Sequence, residues 1–353
     1  MERYFSCAVW EFTLECNLNC SHCGSRAGKA RINELNTQES YRLCEDLALT
    51  NCEMVSLMGG EPFLRKDWYL VSWCIKDLGM DLSYVSNGIL IPKNIKDLVK
   101  LEPKVVGISV DGIRETHDKI RRKGSFDSAI KAIDLLNEHS IQTTVITTVS
   151  KQNFNDLKKL KEILIEKDVN WQIQVAEPFG HFDRNLALDA EEFYAVCLFI
   201  VSENITNKYS DMPVVGGHCF GYHSHLLPKS KRWQGCTAGI NTVGITSDGS
   251  IVGCLSIGNN QYIEGNVRER SFVDIWEDPC SFSYNRNFTT DDLGENCIDC
   301  YFGESCKGGC NSMSIHFSGT FHNTPYCLRQ IEEQLFEVKV PKKEQIIQAE
   351  GRN

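Results

Sequence analysis

Cys16-Asn17-Leu18-Asn19-Cys20-Ser21-His22-Cys23 follows almost directly on an apolar run at residues 9–14. A short apolar run bounded by turn residues reads as a strand, so the three cysteines lie on the loop that leaves it. Three thiolates within eight residues can wrap one face of a 4Fe–4S cube, because soft sulfur ligands are what iron–sulfur clusters select. A cube held by three ligands keeps one iron open to a small molecule. Zinc is the competing reading, but zinc sites usually carry a fourth Cys or His at matching spacing. His22, between two of the cysteines, would point elsewhere if all three cap a cube.

Outward from this loop, the first part of the chain alternates strand-like and helix-like segments. Apolar runs at 9–14, 54–57, 82–85, 105–110, 143–149 and 171–176 are expected strands. Helical periodicity occupies 37–49, 67–78, 125–137 and 156–166, and Asn36 with Glu39 forms a capping box before the first of these. Six β/α repeats imply an α/β fold, a partial (β/α)6 TIM-like barrel with its chemistry at the C-terminal strand ends. The alternation stops near Gly180. A further helix is expected at 190–205, then a Gly/His/Ser-rich passage, and from Cys236 a segment rich in Cys, Gly and Asn. That composition suggests a small domain held by metal more than by an apolar core. The expected organisation is a core at 1–205, a bridge at 206–235, a Cys-rich domain at 236–335 and a polar tail at 336–353.

The chain has 353 residues, 42% hydrophobic, with a net charge of −10. The charge argues against nucleic acid as the main partner, since phosphate binding needs a basic face. No stretch approaches the ~18–20 apolar residues that span a bilayer, and the start lacks a secretory signal. The expected location is the cytoplasm, with no membrane partner. There the 17 cysteines point to metal binding rather than disulfides. Seven of them fall in one segment: Cys236 and Cys254, with an Asp248-Gly249 turn between them, then Cys297, Cys300, Cys306, Cys310 and Cys327. Cys7, Cys44, Cys52, Cys74 and Cys197 fall in expected strands and helices or at their edges, where the default is apolar packing.

The triplet, its position after the first strand, and several later elements resemble the radical S-adenosylmethionine superfamily. Gly59-Gly60-Glu61-Pro62 follows the second strand, Ser86-Asn87-Gly88 the third and Ser109-Val110-Asp111-Gly112 the fourth, with Arg121 shortly after. The resemblance implies that Cys16, Cys20 and Cys23 hold the catalytic cluster. It also implies that Gly59, Gly60, Glu61, Pro62, Ser86, Asn87, Ser109, Asp111 and Arg121 serve S-adenosyl-L-methionine. A zwitterion needs acceptors for its ammonium and a bidentate donor for its carboxylate. In that family, one-electron reduction of the sulfonium yields a 5′-deoxyadenosyl radical, which abstracts a substrate hydrogen.

The later cysteines resemble the SPASM extension of the same enzymes, which implies two auxiliary 4Fe–4S clusters and three in all. Carried over, one cluster takes Cys297, Cys300, Cys306 and Cys327, and the other takes Cys236, Cys254 and Cys310. The fourth ligand of the latter stays open: Thr242 stands where some relatives have cysteine, and Cys219, Cys280, His218, His223 or no ligand are the alternatives, with Cys219 favoured. Glu177, His218 and His223 are candidate general bases, against the plainer reading of polar loop residues.

This resemblance implies an oxidoreductase that oxidatively modifies a ribosomally made precursor peptide, cross-linking being the expected outcome. It also implies a flavodoxin or ferredoxin reductant. The first strand begins within ten residues of Met1, so leader recognition is expected to need a separate protein unless the barrel and bridge suffice. Two alternatives stand beside this reading. One is sulfatase-maturase-like formylglycine formation, against which Leu255 counts because that group places an Asp there. The other is a small-molecule enzyme of tetrapyrrole or antibiotic biosynthesis. A non-catalytic electron carrier does not fit the S-adenosylmethionine elements.

Overall fold

The structure is a computed structural model that describes residues 4–206, 212–217, 220, 223–226, 233–258 and 260–336. Six strands appear where periodicity places them: β1 (Cys7–Thr13), β2 (Met54–Gly59), β3 (Asp81–Ser86), β4 (Val105–Ser109), β5 (Thr143–Val149) and β6 (Asn170–Val175). The helices between them are α1 (Thr37–Leu49), α2 (Trp68–Asp77), α3 (Ile91–Leu101), α4 (Arg114–Ile120), α5 (Ser125–Glu138) and α6 (Leu157–Leu164), and α7 (Ala190–Thr206) follows β6. The capping box of α1 is formed: Asn36 Oδ1 accepts from the amides of Gln38 and Glu39, and Glu39 returns a carboxylate to the Asn36 amide.

A short seventh strand, β7 (Val214–Gly216), pairs in parallel with β6 inside the passage read from sequence as a bridge. Three residues, two of them exposed, carry too little periodicity to be recognised without their partner. The chain then returns to the other edge of the barrel. There β8 (Thr242–Ile245) lies parallel to β1, and β9 (Ser250–Val252) and β10 (Ile263–Asn266) continue it antiparallel. One ten-stranded sheet results, in the order β10-β9-β8-β1-β2-β3-β4-β5-β6-β7.

The Cys-rich segment adds short helices α8 (Phe272–Glu277), α9 (Ser283–Arg286), α10 (Gly303–Cys306), α11 (Asn311–Ser318) and α12 (Leu328–Phe336). It does not stand apart from the barrel. Phe5, just before β1, stacks on Trp276 and Phe272 of α8 at 4.5 and 5.7 Å, and Asp46 of α1 caps the Phe272 amide at 2.8 Å. Trp276, Phe282, Met313, Leu328 and Ile331 belong to the same buried core as the barrel strands. Aromatic burial, worth about 1.5–3 kcal/mol per fully buried side chain, thus joins this segment to the barrel. Among the described residues no helix is long and apolar enough to cross a membrane.

Candidate radical site and its flanking cysteine groups

The loop after β1 is closed at its base. The Cys16 amide donates to the Gly28 carbonyl at 3.1 Å and the Gly28 amide to Leu14 at 2.9 Å. Within it the Leu18 amide approaches Cys16 Sγ at 3.4 Å and the Ala27 amide Cys23 Sγ at 3.3 Å. Arg121 Nη1 lies 4.0 Å from Cys20 Sγ. Donors thus surround the sulfurs, as an anionic thiolate set requires. Burial pushes the Cys16 thiol up to about 11, and burial also raises Cys20, with Arg121 opposing. Cluster assembly must therefore displace protons from this loop.

The loop after β2 is stitched to the cysteine loop. Gly60 N donates to Thr13 O at 2.7 Å and Glu61 N to Glu15 O at 2.8 Å. This close approach explains the glycine pair. A Cβ on Gly60 would sit 2.1 Å from the Glu15 carbonyl oxygen, and Gly59 has φ +117°, a region L side chains rarely occupy.

All three cysteines line one cavity of about 250 Å³, together with Gly59, Gly60, Ser86, Asn87, Ser109 and Arg121. Glu61, Pro62 and Asp111 do not line it. Glu61 is fully buried behind the wall and ties two strand ends together. Its carboxylate accepts from Ser86 Oγ at 2.9 Å and the Asn87 amide at 3.0 Å. Burial raises its pKa to about 7, against the pull of those bonds.

Asp111, also buried, accepts from Arg121 Nε at 2.5 Å, from the Thr148 amide at 3.1 Å, and lies 3.0 Å from His22 Nε2. Burial opposes its ionisation, but Arg121 and His22 overcome this and hold the carboxyl far below the usual range. Asp111 thus orients Arg121 toward the cavity from behind, and His22, which lines the cavity, pairs with the same carboxylate. The polar face of the cavity is completed by Thr148 and Gln174, joined at 3.0 Å. The period-two pattern of β5 and β6 marks these inward positions, but sequence reading gave them no role.

Beyond the barrel mouth, Cys236 hydrogen-bonds to Cys310, and Cys254 lies beside both. Cys297, Cys300, Cys306 and Cys327 form a second, separate group, in which the thiols of Cys297, Cys306 and Cys327 are each raised in part by neighbouring members. Burial pushes Cys254, Cys297 and Cys306 up to about 12. Among the described residues, no three His, Cys, Asp or Glu side chains close around a single metal ion. A four-iron cube is wider than one ion, and all-thiol sets of three and four suit it.

Cys219 and His218 lie outside the described residues. Cys280 is exposed and joins neither group. His223 stacks on Phe302 at 4.2 Å, beside the four-cysteine group rather than in the cavity. Glu177 is the surprise among the candidate bases. It is buried, lines the cavity, and accepts a hydrogen bond from Ser312 of α11, two residues after Cys310. Leu255 and Ser256, directly after Cys254, line the same cavity. The three-cysteine group therefore borders the space in front of Cys16, Cys20 and Cys23. Nearly all of these contacts join residues far apart in sequence, beyond the reach of local patterns.

Family models agree with this geometry. The radical SAM superfamily model matches residues 10–164, and that of an iron–sulfur cluster-binding domain, SPASM, matches 236–301. The Fe-coproporphyrin III synthase of Methanosarcina barkeri is 30% identical over 292 residues, 76% of this chain and 73% of that protein. The chain belongs to the radical SAM superfamily. This radical SAM enzyme is also similar to the mycofactocin maturase MftC of Mycolicibacterium smegmatis, 27% identical over 89% of this chain and 79% of that one. The crystal structure of Streptococcus suis SuiB bound to precursor peptide SuiA shares its fold, with TM-score 0.76, 19% identity, and coverage of 93% and 76%. Radical SAM chemistry with 4Fe–4S and S-adenosylmethionine follows from membership.

Proposed function

We propose that this radical SAM enzyme holds three 4Fe–4S clusters and oxidatively modifies a ribosomally made peptide, forming a cross-link. Cys16, Cys20 and Cys23 would hold the catalytic cluster. Cys236, Cys254 and Cys310 would hold one auxiliary cluster, and Cys297, Cys300, Cys306 and Cys327 the other. When bound, S-adenosylmethionine at the first cluster supplies the radical that abstracts a hydrogen. The protein's part is to orient and to exclude water. Gly59 and Gly60, which let the loop after β2 pack on the cysteine loop, would present backbone to the cofactor, and Arg121, aimed by Asp111, offers a guanidinium to its carboxylate. Ser86, Asn87 and Ser109 supply polar contacts around the rest.

The observation that carries the oxidation is the position of the three-cysteine group. Cys254 opens directly into Leu255 and Ser256 of the cavity wall, so an electron leaving a substrate radical has an acceptor at the wall. Glu177, on the same wall, is placed to take the accompanying proton. A second cleft of about 450 Å³ meets the cavity at Gly24, Ser25, Phe179 and Leu255 and gives a substrate room to enter. A small reductant protein, flavodoxin or ferredoxin, would deliver electrons, and a separate protein would present the leader. The maturase similarity supports a peptide. A second reading, radical modification of a tetrapyrrole, is supported by the 30% identical Fe-coproporphyrin III synthase. Formylglycine formation is disfavoured because Leu255, an alkyl group, occupies the wall beside Cys254.

The test is anaerobic reconstitution with iron and sulfide. About twelve irons are expected, one four-iron cube per thiol group, with deoxyadenosine released by the wild type and not by a Cys16/Cys20/Cys23 triple Ala variant. A precursor peptide encoded beside this gene is expected to lose two hydrogens by mass spectrometry. Formation of Fe-coproporphyrin III from a tetrapyrrole precursor, with no change in the peptide, would establish the second reading. About four irons would refute the auxiliary clusters.

A further inference from the structure

Tyr284 sits on the one-turn helix α9 and is held rigidly. Its ring stacks on Phe321 at 4.2 Å and leans on Tyr262 at 6.2 Å, and its carbonyl lies 2.6 Å from His322 Nε2. The phenol oxygen is buried and, among the described residues, has no hydrogen-bond partner. A buried hydroxyl left without an acceptor costs about 1–3 kcal/mol, so an orphan held this firmly calls for one.

The surroundings say where that acceptor lies. The phenol oxygen rests against Gly253, where a Cβ would come within 2.0 Å of it, and Gly253 immediately precedes Cys254. On the other side, Asn285 Nδ2 donates to the carbonyls of Cys236 at 2.8 Å and Ala238 at 2.7 Å. The segment carrying Tyr284 is thus fastened to the loops of two of the three cysteines. An ordinary phenol is protonated at neutral pH and so has a hydrogen to donate toward that group.

We propose that Tyr284 is a positioning residue that donates a hydrogen bond to the sulfur shell of the auxiliary cluster held by Cys236, Cys254 and Cys310, and thereby raises its reduction potential. The inference rests on the three-cluster reading above. Hydrogen bonds to cluster sulfur stabilise the more negative, reduced state. The phenol would make this cluster the better acceptor for an electron leaving a substrate radical. Gly253 is then required for room, since any side chain there would displace the hydroxyl.

The experiment is an EPR-monitored redox titration of the reconstituted holoenzyme as wild type, Tyr284→Phe and Tyr262→Phe, with iron counted in each. The expected result is a shift of one auxiliary cluster's midpoint potential to a more negative value in Tyr284→Phe, with full iron. Tyr262→Phe, which alters the same aromatic stack without touching the phenol at Gly253, should leave it in place. An unchanged potential in Tyr284→Phe overturns the inference. Loss of iron from that cluster also overturns it, because the phenol would then be a ligand rather than a donor. Failure of the wild type to load the cluster would instead refute the three-cluster reading.

Discussion

Replacing Glu61 by Gln should remove a pH dependence from the stability of the whole barrel. Glu61 is fully buried, and burial lifts its carboxyl from an ordinary 4.5 to about 7. The native state therefore binds this proton more tightly than the unfolded chain. Its contribution to stability is fully present below pH 4.5 and is lost as pH rises through 7. At roughly 1.4 kcal/mol per pH unit the loss amounts to about 3 kcal/mol. Gln has nearly the same shape, and its carbonyl can still accept from the Asn87 amide, but it does not titrate. With an unfolding entropy of about 2.1 cal/mol/K per residue, the difference corresponds to about 4 °C. Anaerobic scanning fluorimetry from pH 5 to 8 should show the wild type losing most of that margin relative to Glu61→Gln, with parallel curves above pH 8. A difference that stays constant across the range would refute the buried-carboxylate reading.

Gly60→Ala should push the Cys16 loop away through contact with the Glu15 carbonyl, lowering iron retention and deoxyadenosine formation at least tenfold. Gly28→Ala, where an added Cβ would meet nothing within 4 Å, should be near neutral, and equal effects would refute the close-approach argument. Asp111→Asn breaks a buried ion pair and should cost about 3–5 kcal/mol, seen as a lower melting temperature together with weaker S-adenosylmethionine binding by calorimetry; unchanged affinity would mean Asp111 does not aim Arg121. Glu332, fully buried on α12, accepts from Tyr194 Oη at 3.0 Å, the His225 amide at 2.6 Å and Ser224 Oγ. Glu332→Ala should take this acceptor from the Tyr194 hydroxyl and the His225 amide, at about 1–3 kcal/mol each, and speed proteolytic cleavage at 223–226.

What the sequence by itself determined is whatever local pattern encodes. The triplet is contiguous, so its three thiols share one loop by chain connectivity alone. The barrel strands and four of the six helices between them, α1, α2, α5 and α6, announce themselves because periods of 2 and 3.6 residues place apolar side chains on one face. The Asn36–Glu39 box is likewise local and formed as read.

Tertiary structure decided what covers each face. Thr242, where a cysteine was sought, instead opens β8, whose parallel pairing with β1 carries Cys254 to the cavity. Nothing in a four-residue strand names its partner some 235 residues away. Asp111 and Glu61, grouped by resemblance with cofactor contacts, stand behind the wall as orienting groups, since direction depends on which neighbours supply their donors. Glu177 is buried and meets a donor, Ser312, that lies on α11 135 residues further along the chain. Tyr284 meets Gly253 for the same reason: side-chain periodicity sets which way a residue points, but long-range packing decides what it meets.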